Sequence, residues 1–220
     1  MTFIQILGIL FLLAAGIHYG LKFIKHKSLY PFMPFKYNFR RRRVTFKRVL
    51  QLLNERNAKT LIETGTSRKG LKGTRNDGAA TIVFGKWAKQ NNAKLFSVDI
   101  SEDSIQGSRE ELDKQGLSQY VSLHLDDSLN FLKNFEEQVD FLYLDSYDYS
   151  RTDVEIQKAS QEHHLKEFKL IEDKLHDNTI VLIDDCGLPG GGKGKTVIEY
   201  MKTKGWNVVI DAYQVLLLKN

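Results

Sequence analysis

The chain has 220 residues, 42% hydrophobic and 27% charged, which suits one domain with a substantial core plus an appendage. Its single cysteine, Cys186, excludes an internal disulfide and reads as a small buried residue just past a strand. The formal charge of +5 comes from the stretch Lys22 to Arg48, which holds ten basic residues and no acid, while the remainder has 22 basic and 27 acidic residues, which argues against a nucleic-acid-binding surface.

Residues 1–24 are almost wholly apolar, and no Asp, Glu, Lys or Arg precedes Lys22. At ~1.5 Å per helical residue this run reaches the ~30 Å of a bilayer core. A single transmembrane helix is expected, because a secretory signal would carry its basic residues before the apolar run rather than after it. Lys22, Lys25, Lys27 and Arg40 to Arg43 follow the span, so the positive-inside rule places the C-terminal domain on the cytoplasmic side of a membrane. Residues 25–43 form a basic and aromatic juxtamembrane connector, with two of the three prolines of the chain between Ser28 and Phe39. Its four arginines are expected to face anionic headgroups or simply to fix topology.

From residue 44 to 220 the pattern is that of one α/β domain. Val44 to Asn57 shows a helical apolar stripe. Thr60 to Glu63 is a buried strand, followed by a turn at Gly65, a polar loop ending in Asn76-Asp77-Gly78, and a helix from Ala79. Lys94 to Asp99 is a second strand, and Ser101 opens a helix that stops at Gly116. Tyr120 to Leu125 is a third strand, Ser128 to Phe135 a short helix, Val139 to Leu144 a fourth strand, and Thr152 to Leu175 a long helix. Thr179 to Ile183 has the uniform apolar character of a strand buried on both faces.

A last helix, Thr196 to Lys204, precedes strands at Trp206 to Ile210 and Tyr213 to Leu218. Two residues cannot carry a parallel crossover, so this final pair is an antiparallel hairpin on an otherwise parallel sheet. An all-parallel dinucleotide-binding sheet would not end this way, which sets the NAD(P) reading back. Acids stand at the ends of successive strands, and such strand ends line the ligand crevice of an open parallel sheet.

With the glycine turn, the acidic strand ends and the hairpin on the page, residues from about 44 to 220 resemble the class I S-adenosylmethionine-dependent methyltransferases. The resemblance rests on Glu63-Thr64-Gly65-Thr66-Ser67 after the first strand, Asp99 at the second, Asp127 or its neighbour Asp126 after the third, and Asp145 after the fourth. It implies a Rossmann-like, mostly parallel seven-stranded sheet with a reversed C-terminal strand and helices on both faces. It also implies cofactor contacts at Glu63, Gly65, Thr66, Ser67, Gly78, Asp99, Ile100, Asp127, Ser128 and Asp145. A carboxylate accepts both hydroxyls of a ribose, and glycine lets the main chain approach a ligand where a Cβ would collide. Asp145, Tyr147 and Asp148 are the expected catalytic group. The loop from Arg68 to Asp77 is longer than the usual turn, which leaves open whether Ser67, Gly70, Gly73 or Gly78 meets the cofactor and whether the loop is a lid.

A narrower resemblance is to the catechol-type O-methyltransferases, which bind Mg²⁺ through strand-end acids. Asp145, Asp184 and Asp185 are the corresponding candidates for Mg²⁺ or another divalent cation, although Asp185 stands where that family has Asn. Gly190 to Thr196 looks like a phosphate-binding loop, but the first glycine of that pattern falls at Pro189 and the segment follows the fifth strand, not the first. It reads instead as a flexible rim where Lys193 or Lys195 meets an acidic substrate. His163 and His164 read as a solvated helix face.

The expected activity is methyl transfer to an oxygen or nitrogen of a small-molecule or membrane-associated acceptor. A noncatalytic binding domain tethered at the membrane is the rival, and the sequence specifies neither the acceptor nor an oligomeric state.

Overall fold

Three segments of the chain, Leu61-Ile62, Val139 to Leu144 and Ile180 to Ile183, offer little or no polar face, and such strands are stable only between two layers of helices. The computed structural model, which describes residues 2–26, 39–74 and 77–219, shows that arrangement. An N-terminal helix α1 (Phe3–His26) precedes a domain built from α2 (Arg43–Glu55), β1 (Thr60–Thr64), α3 (Ala80–Asn91), β2 (Lys94–Asp99), α4 (Glu102–Gln115), β3 (Val121–Leu125), α5 (Ser128–Lys133), β4 (Val139–Leu144), α6 (Val154–Ile171), β5 (Leu175–Ile183), α7 (Lys195–Thr203), β6 (Trp206–Asp211) and β7 (Val215–Lys219).

The sheet order is β3-β2-β1-β4-β5-β7-β6. Neighbours from β3 to β5 pair in parallel, and β7 runs antiparallel to both β5 and β6. The order reverses between β1 and β4, so the crevice for a ligand opens at their carboxyl ends.

Alternate residues of the central strands feed the two cores. Phe141, Tyr143, Ile180 and Leu182 face α2 and α3, whereas Leu142, Leu144, Val181 and Ile183 face α6 and α7. Val139 belongs with the second set despite sharing parity with Phe141, because the ladder shifts register between them. Phe46 on α2 ties its helix to the sheet through edge-on contacts to Phe84 and Tyr143, with centroids 5.4 and 6.3 Å apart. Each such buried ring contributes about 1.5–3 kcal/mol relative to exposure.

Local signals set the helix ends. Ser101 Oγ accepts from the Ser104 N–H at 3.3 Å to open α4, and Gly116 at φ 63° closes it in the left-handed conformation. Asp153 caps α6 through the N–H groups of Glu155 and Ile156. Helix α6 ends at Ile171, earlier than its composition suggests, because a 3-10 turn at Glu172–Lys174 delivers the chain into a β5 that starts at Leu175. The last strand starts at Val215 rather than Tyr213, which frees Tyr213 and Gln214 for the site described below.

Helix α1 lies apart from these cores. Phe3–Leu21 has a mean hydropathy of 1.9, is long and apolar enough to cross a membrane, and is not buried by the rest of the protein. Most of the connector expected between this helix and the domain, residues 27–38, lies outside the described residues, as do Arg75 and Asn76 of the long loop after β1.

Candidate functional site

The tips of β1 and β4 are pressed together by the turn at Gly65. Its φ is +83°, and a Cβ there would lie 2.4 Å from the carbonyl oxygen of Asp145, so only glycine allows the approach. The Asp145 N–H donates to Thr64 O at 3.0 Å across the same junction. Glu63, the last acid of β1, is buried and accepts from Ser97 Oγ at 2.6 Å and Thr81 Oγ1 at 2.7 Å. Burial outweighs those hydrogen bonds and pushes its carboxyl up to about 7.

Two cavities meet at this edge. The larger, about 650 Å³, lies between the tips of β1, β2 and β4 and the starts of α4 and α5, and its walls include Gly65, Val98, Asp99, Ile100, Ser101, Asp127, Ser128, Leu129, Tyr147 and His163. Asp99 is fixed there by the N–H groups of Thr66 at 3.0 Å and Ser101 at 2.8 Å, which aims its carboxylate along the crevice. Asp127 caps α5 through the Leu129 N–H at 2.7 Å and faces the cavity. Asp126 turns outward to Asn130, which separates the two candidates. Ile100, largely exposed, forms an apolar lip.

The smaller cavity, about 150 Å³, shares Gly65, Arg68, Asp99 and Asp148 with the first and adds Glu63, Thr66, Ser67, Asp145, Asp185, Lys193 and Tyr213. The two form one continuous crevice. Asp148 pairs with Arg68 at 2.6 Å across the mouth, joining the loop after β1 to the loop after β4. Tyr147 lies on the side of the larger cavity, its ring 5.3 Å from that of His163. Gly78 lies outside both cavities: a Cβ there would meet Arg42 Cδ at 2.7 Å, so its glycine serves the packing of Arg42.

Ligand oxygens of Asp145, Asp184 and Asp185 lie within 4.8 Å of one another. Two cations of the chain are set among them. Arg42 Nε and Nη2 donate to Asp184 at 2.8 and 2.6 Å, and Nη2 lies 3.5 Å from Asp185. Lys193 Nζ lies 2.7 Å from Asp145 and 3.6 Å from Asp185. Tyr213 donates a short hydrogen bond to Asp185, and Tyr143 donates to Asp145 at 3.3 Å while accepting from Gln214 at 3.0 Å. Against the cost of burial, the Arg42 guanidinium holds Asp184 below the usual carboxylate range. Burial and the charges of Asp184 and Asp185 push Asp145 up, with Lys193 opposing. Three carboxylates against two cations leave one negative charge in excess, and that excess raises the proton affinity of Asp145.

The structure corrects three expectations. Arg42 does not face headgroups; it is 6% exposed and completes the site, because it sits one helical turn before Phe46 on the buried side of the chain. Lys193 is not on a flexible rim; it is 2% exposed, and the glycine loop holds it beneath the surface. A Cβ at Gly192 would fall 2.0 Å from Asp185 O, so that loop is packed onto the end of β5 and is not a phosphate-binding turn. His164 is not solvated: α6 is covered on both flanks, and burial lowers this imidazole to about 4 while its Nδ1 pairs with Ser160 O at 2.7 Å. His163 reaches Ser128 Oγ at 3.1 Å and Glu167 at 3.4 Å.

The sequence marked Asp145, Asp184 and Asp185 but missed their counter-charges. A signal was present in the spacing Arg42, Phe46, Val49 and Leu53, which extends the apolar stripe of α2 back to the arginine just before its first residue. Three acids at adjacent strand ends also require cations nearby once buried.

A seven-stranded sheet with this order, a reversed β7 and a crevice at the β1/β4 switch is the fold of the class I S-adenosylmethionine-dependent methyltransferases. A family model described as a methyltransferase domain matches residues 73–186, and the chain belongs to that family. Among solved structures, a Staphylococcus aureus protein assigned as a caffeoyl-CoA O-methyltransferase superposes with a TM-score of 0.59 at 15% identity, covering 97% of this chain and 100% of that one. A Streptococcus mutans methyltransferase in complex with SAH gives 0.55 at 19% identity, over 79% and 97% of the two chains. The SAH-bound methyltransferase of Podospora anserina gives 0.58 at 16% identity, over 90% and 87%. No curated protein sequence matches this chain.

Proposed function

We propose that the larger cavity binds S-adenosylmethionine and that the smaller chamber presents an acceptor hydroxyl to it. The observation that carries this reading is the junction of the cavities at Gly65 and Asp99, next to a carboxyl group, Asp145, whose proton affinity is raised. The structures bound to SAH support the choice of cofactor through the shared fold. When bound, S-adenosylmethionine supplies an electrophilic methyl group on a cationic sulfur.

The chain's own residues do the rest by position. Asp99 accepts from the ribose hydroxyls, and Asp127, Ile100 and Ser128 border the adenine end. Asp145 takes the acceptor's proton as the oxygen lone pair forms the new bond to carbon and the C–S electron pair stays with sulfur. Orientation of the acceptor in a small polar chamber contributes most of the rate. Tyr147 borders the cofactor side, and Asp148 with Arg68 spans the mouth, which gives that ion pair a gating role rather than a catalytic one. The chamber's lining of carboxylates, cations and a tyrosine fits a hydroxyl-bearing, polar acceptor better than an apolar one.

The apolar, unburied α1 and the basic residues after it support a single-pass anchor with the domain on the cytoplasmic side, where the acceptor is either a small molecule or a membrane-associated one. Calorimetry on the full chain in detergent tests the cofactor. S-Adenosylmethionine should bind where NAD and ATP do not, and Asp99→Asn should weaken it by about tenfold, the worth of a hydrogen bond to a charged group. Binding of either nucleotide in preference to the sulfonium would end this reading.

A further inference from the structure

The resemblance to metal-dependent O-methyltransferases places a divalent cation among Asp145, Asp184 and Asp185. The residues present do not fit one. Both oxygens of Asp184 face Arg42, at 2.6 to 3.1 Å. Asp145 has Lys193 on Oδ1 and the Tyr143 hydroxyl on Oδ2, and Asp185 has Tyr213 on Oδ1 and Lys193 near Oδ2. Each oxygen of the three carboxylates therefore already faces a proton-bearing group of the chain.

We propose that Arg42 and Lys193 stand permanently where a metal would bind, so that the acceptor chamber is organised by two internal cations and methyl transfer in it needs no divalent ion. This rests on reading the chamber as a methyltransferase acceptor site. The two cations have no easy exit. Lys193 belongs to the loop from Gly187 to Gly194 and is 2% exposed, and that loop is packed so closely that a Cβ at Gly192 would fall 2.0 Å from Asp185 O. Arg42 lies 5.0 Å from the Tyr213 ring centre, and its stem packs on Gly78. A divalent ion would have to strip two buried charge-assisted bonds and strand a guanidinium in a site already near neutrality, a cost of the kind that breaking a buried ion pair carries.

The substitution also suits the chemistry. A divalent ion in such a site would stabilise negative charge on the acceptor oxygen as its proton leaves. A buried guanidinium and a buried ammonium held in place do the same without reorganising, because preorganised donors stabilise developing charge where it appears. Arg42 and Lys193 both line the chamber, and their positions are set by the carboxylates they neutralise. The extra acid that departs from the Asp-Asn pattern, Asp185, then serves to hold Lys193 and the Tyr213 hydroxyl rather than a metal.

Mn²⁺ titration of the full chain in detergent micelles, followed by the EPR signal of the free ion, tests this. The wild-type protein should leave millimolar Mn²⁺ free at this site. Arg42→Met and Lys193→Met, which remove a charge with little change in bulk, should each bind one Mn²⁺ per chain, and Asp185→Asn added to either should abolish it. One Mn²⁺ bound by the wild type and lost in Asp185→Asn would overturn the proposal. So would Met variants that keep the wild-type circular dichroism yet bind no Mn²⁺, since the cations would then not be occupying a metal position. If Arg42→Met fails to fold, Lys193→Met and the wild-type titration decide. Calorimetric binding of S-adenosylmethionine to the same samples separates the two questions: its loss in the wild type would end the functional reading, while the Mn²⁺ result still reads the cation pair.

Discussion

Glu63 and His164 are buried ionisable groups whose proton affinities move in opposite directions, and their effects on stability partly cancel. Glu63, pushed up to about 7, holds a proton in the folded chain that the unfolded chain has released above its ordinary value of 4.5. Its contribution therefore weakens as pH rises from 4.5 to 7. His164, lowered to about 4, stays neutral when folded but protonates at about 6.5 when unfolded, so stability falls as pH drops through that window. Against the cost of burial, the contact with His163 brings Glu167 down to about 2, which adds a further loss between 4.5 and 2. Replacing Glu63 with Gln keeps an acceptor for Ser97 and Thr81 and removes the opposing term, worth of order 3 kcal/mol at pH 8 for a shift of this size. The variant should melt higher than wild type at pH 8 and lose stability more steeply from pH 6.5 to 4.5. A melting curve whose pH slope matches wild type across that range would show that Glu63 is not the compensating group.

At the scale of elements, the alternation of strands and helices was legible because each carries its own pattern: uniformly apolar strands, a capped α4, a glycine stop and a final connection too short for a parallel crossover, which forces a reversed hairpin. The acids at the strand tips were legible for the same reason, since strand ends are where an open sheet binds ligands. What stayed hidden were contacts between segments far apart in the chain. Arg42 meets Asp184 across 142 residues, and nothing local distinguishes it from Arg40, Arg41 or Arg43 except its place on the stripe with Phe46. That dependence on α2 predicts a remote effect: Phe46→Ala should cost about 3–5 kcal/mol in unfolding free energy through lost packing. It should also loosen Arg42, so the variant at temperatures where it remains folded should gain Mn²⁺ affinity that wild type lacks. Gly65→Ala acts on the same edge from the other side. It adds a Cβ 2.4 Å from Asp145 O at a positive φ, and the strain of about 1–3 kcal/mol should be accompanied by loss of S-adenosylmethionine binding in calorimetry. Unimpaired binding would mean that the β1/β4 junction does not shape the cofactor cavity.

For the whole molecule, the question is whether α1 belongs to the domain or only carries it. None of its side chains that the structure describes is buried, whereas the domain closes its two cores without help from it. A helix that contributes no burial should contribute little to unfolding, since surface changes away from packed features usually stay within about 0.5 kcal/mol. Deleting residues 2–26 should therefore leave the melting of the domain nearly unchanged and keep S-adenosylmethionine binding, while moving the protein from the membrane pellet to the soluble fraction of a cell extract. The full chain should resist extraction from membranes by alkaline carbonate, because an apolar span is released by detergent rather than by charge. If the domain is instead destabilised by several kcal/mol, α1 packs on it in place of a bilayer. If the full chain is extracted by carbonate, the apolar helix does not anchor it, and the acceptor need not be at a membrane.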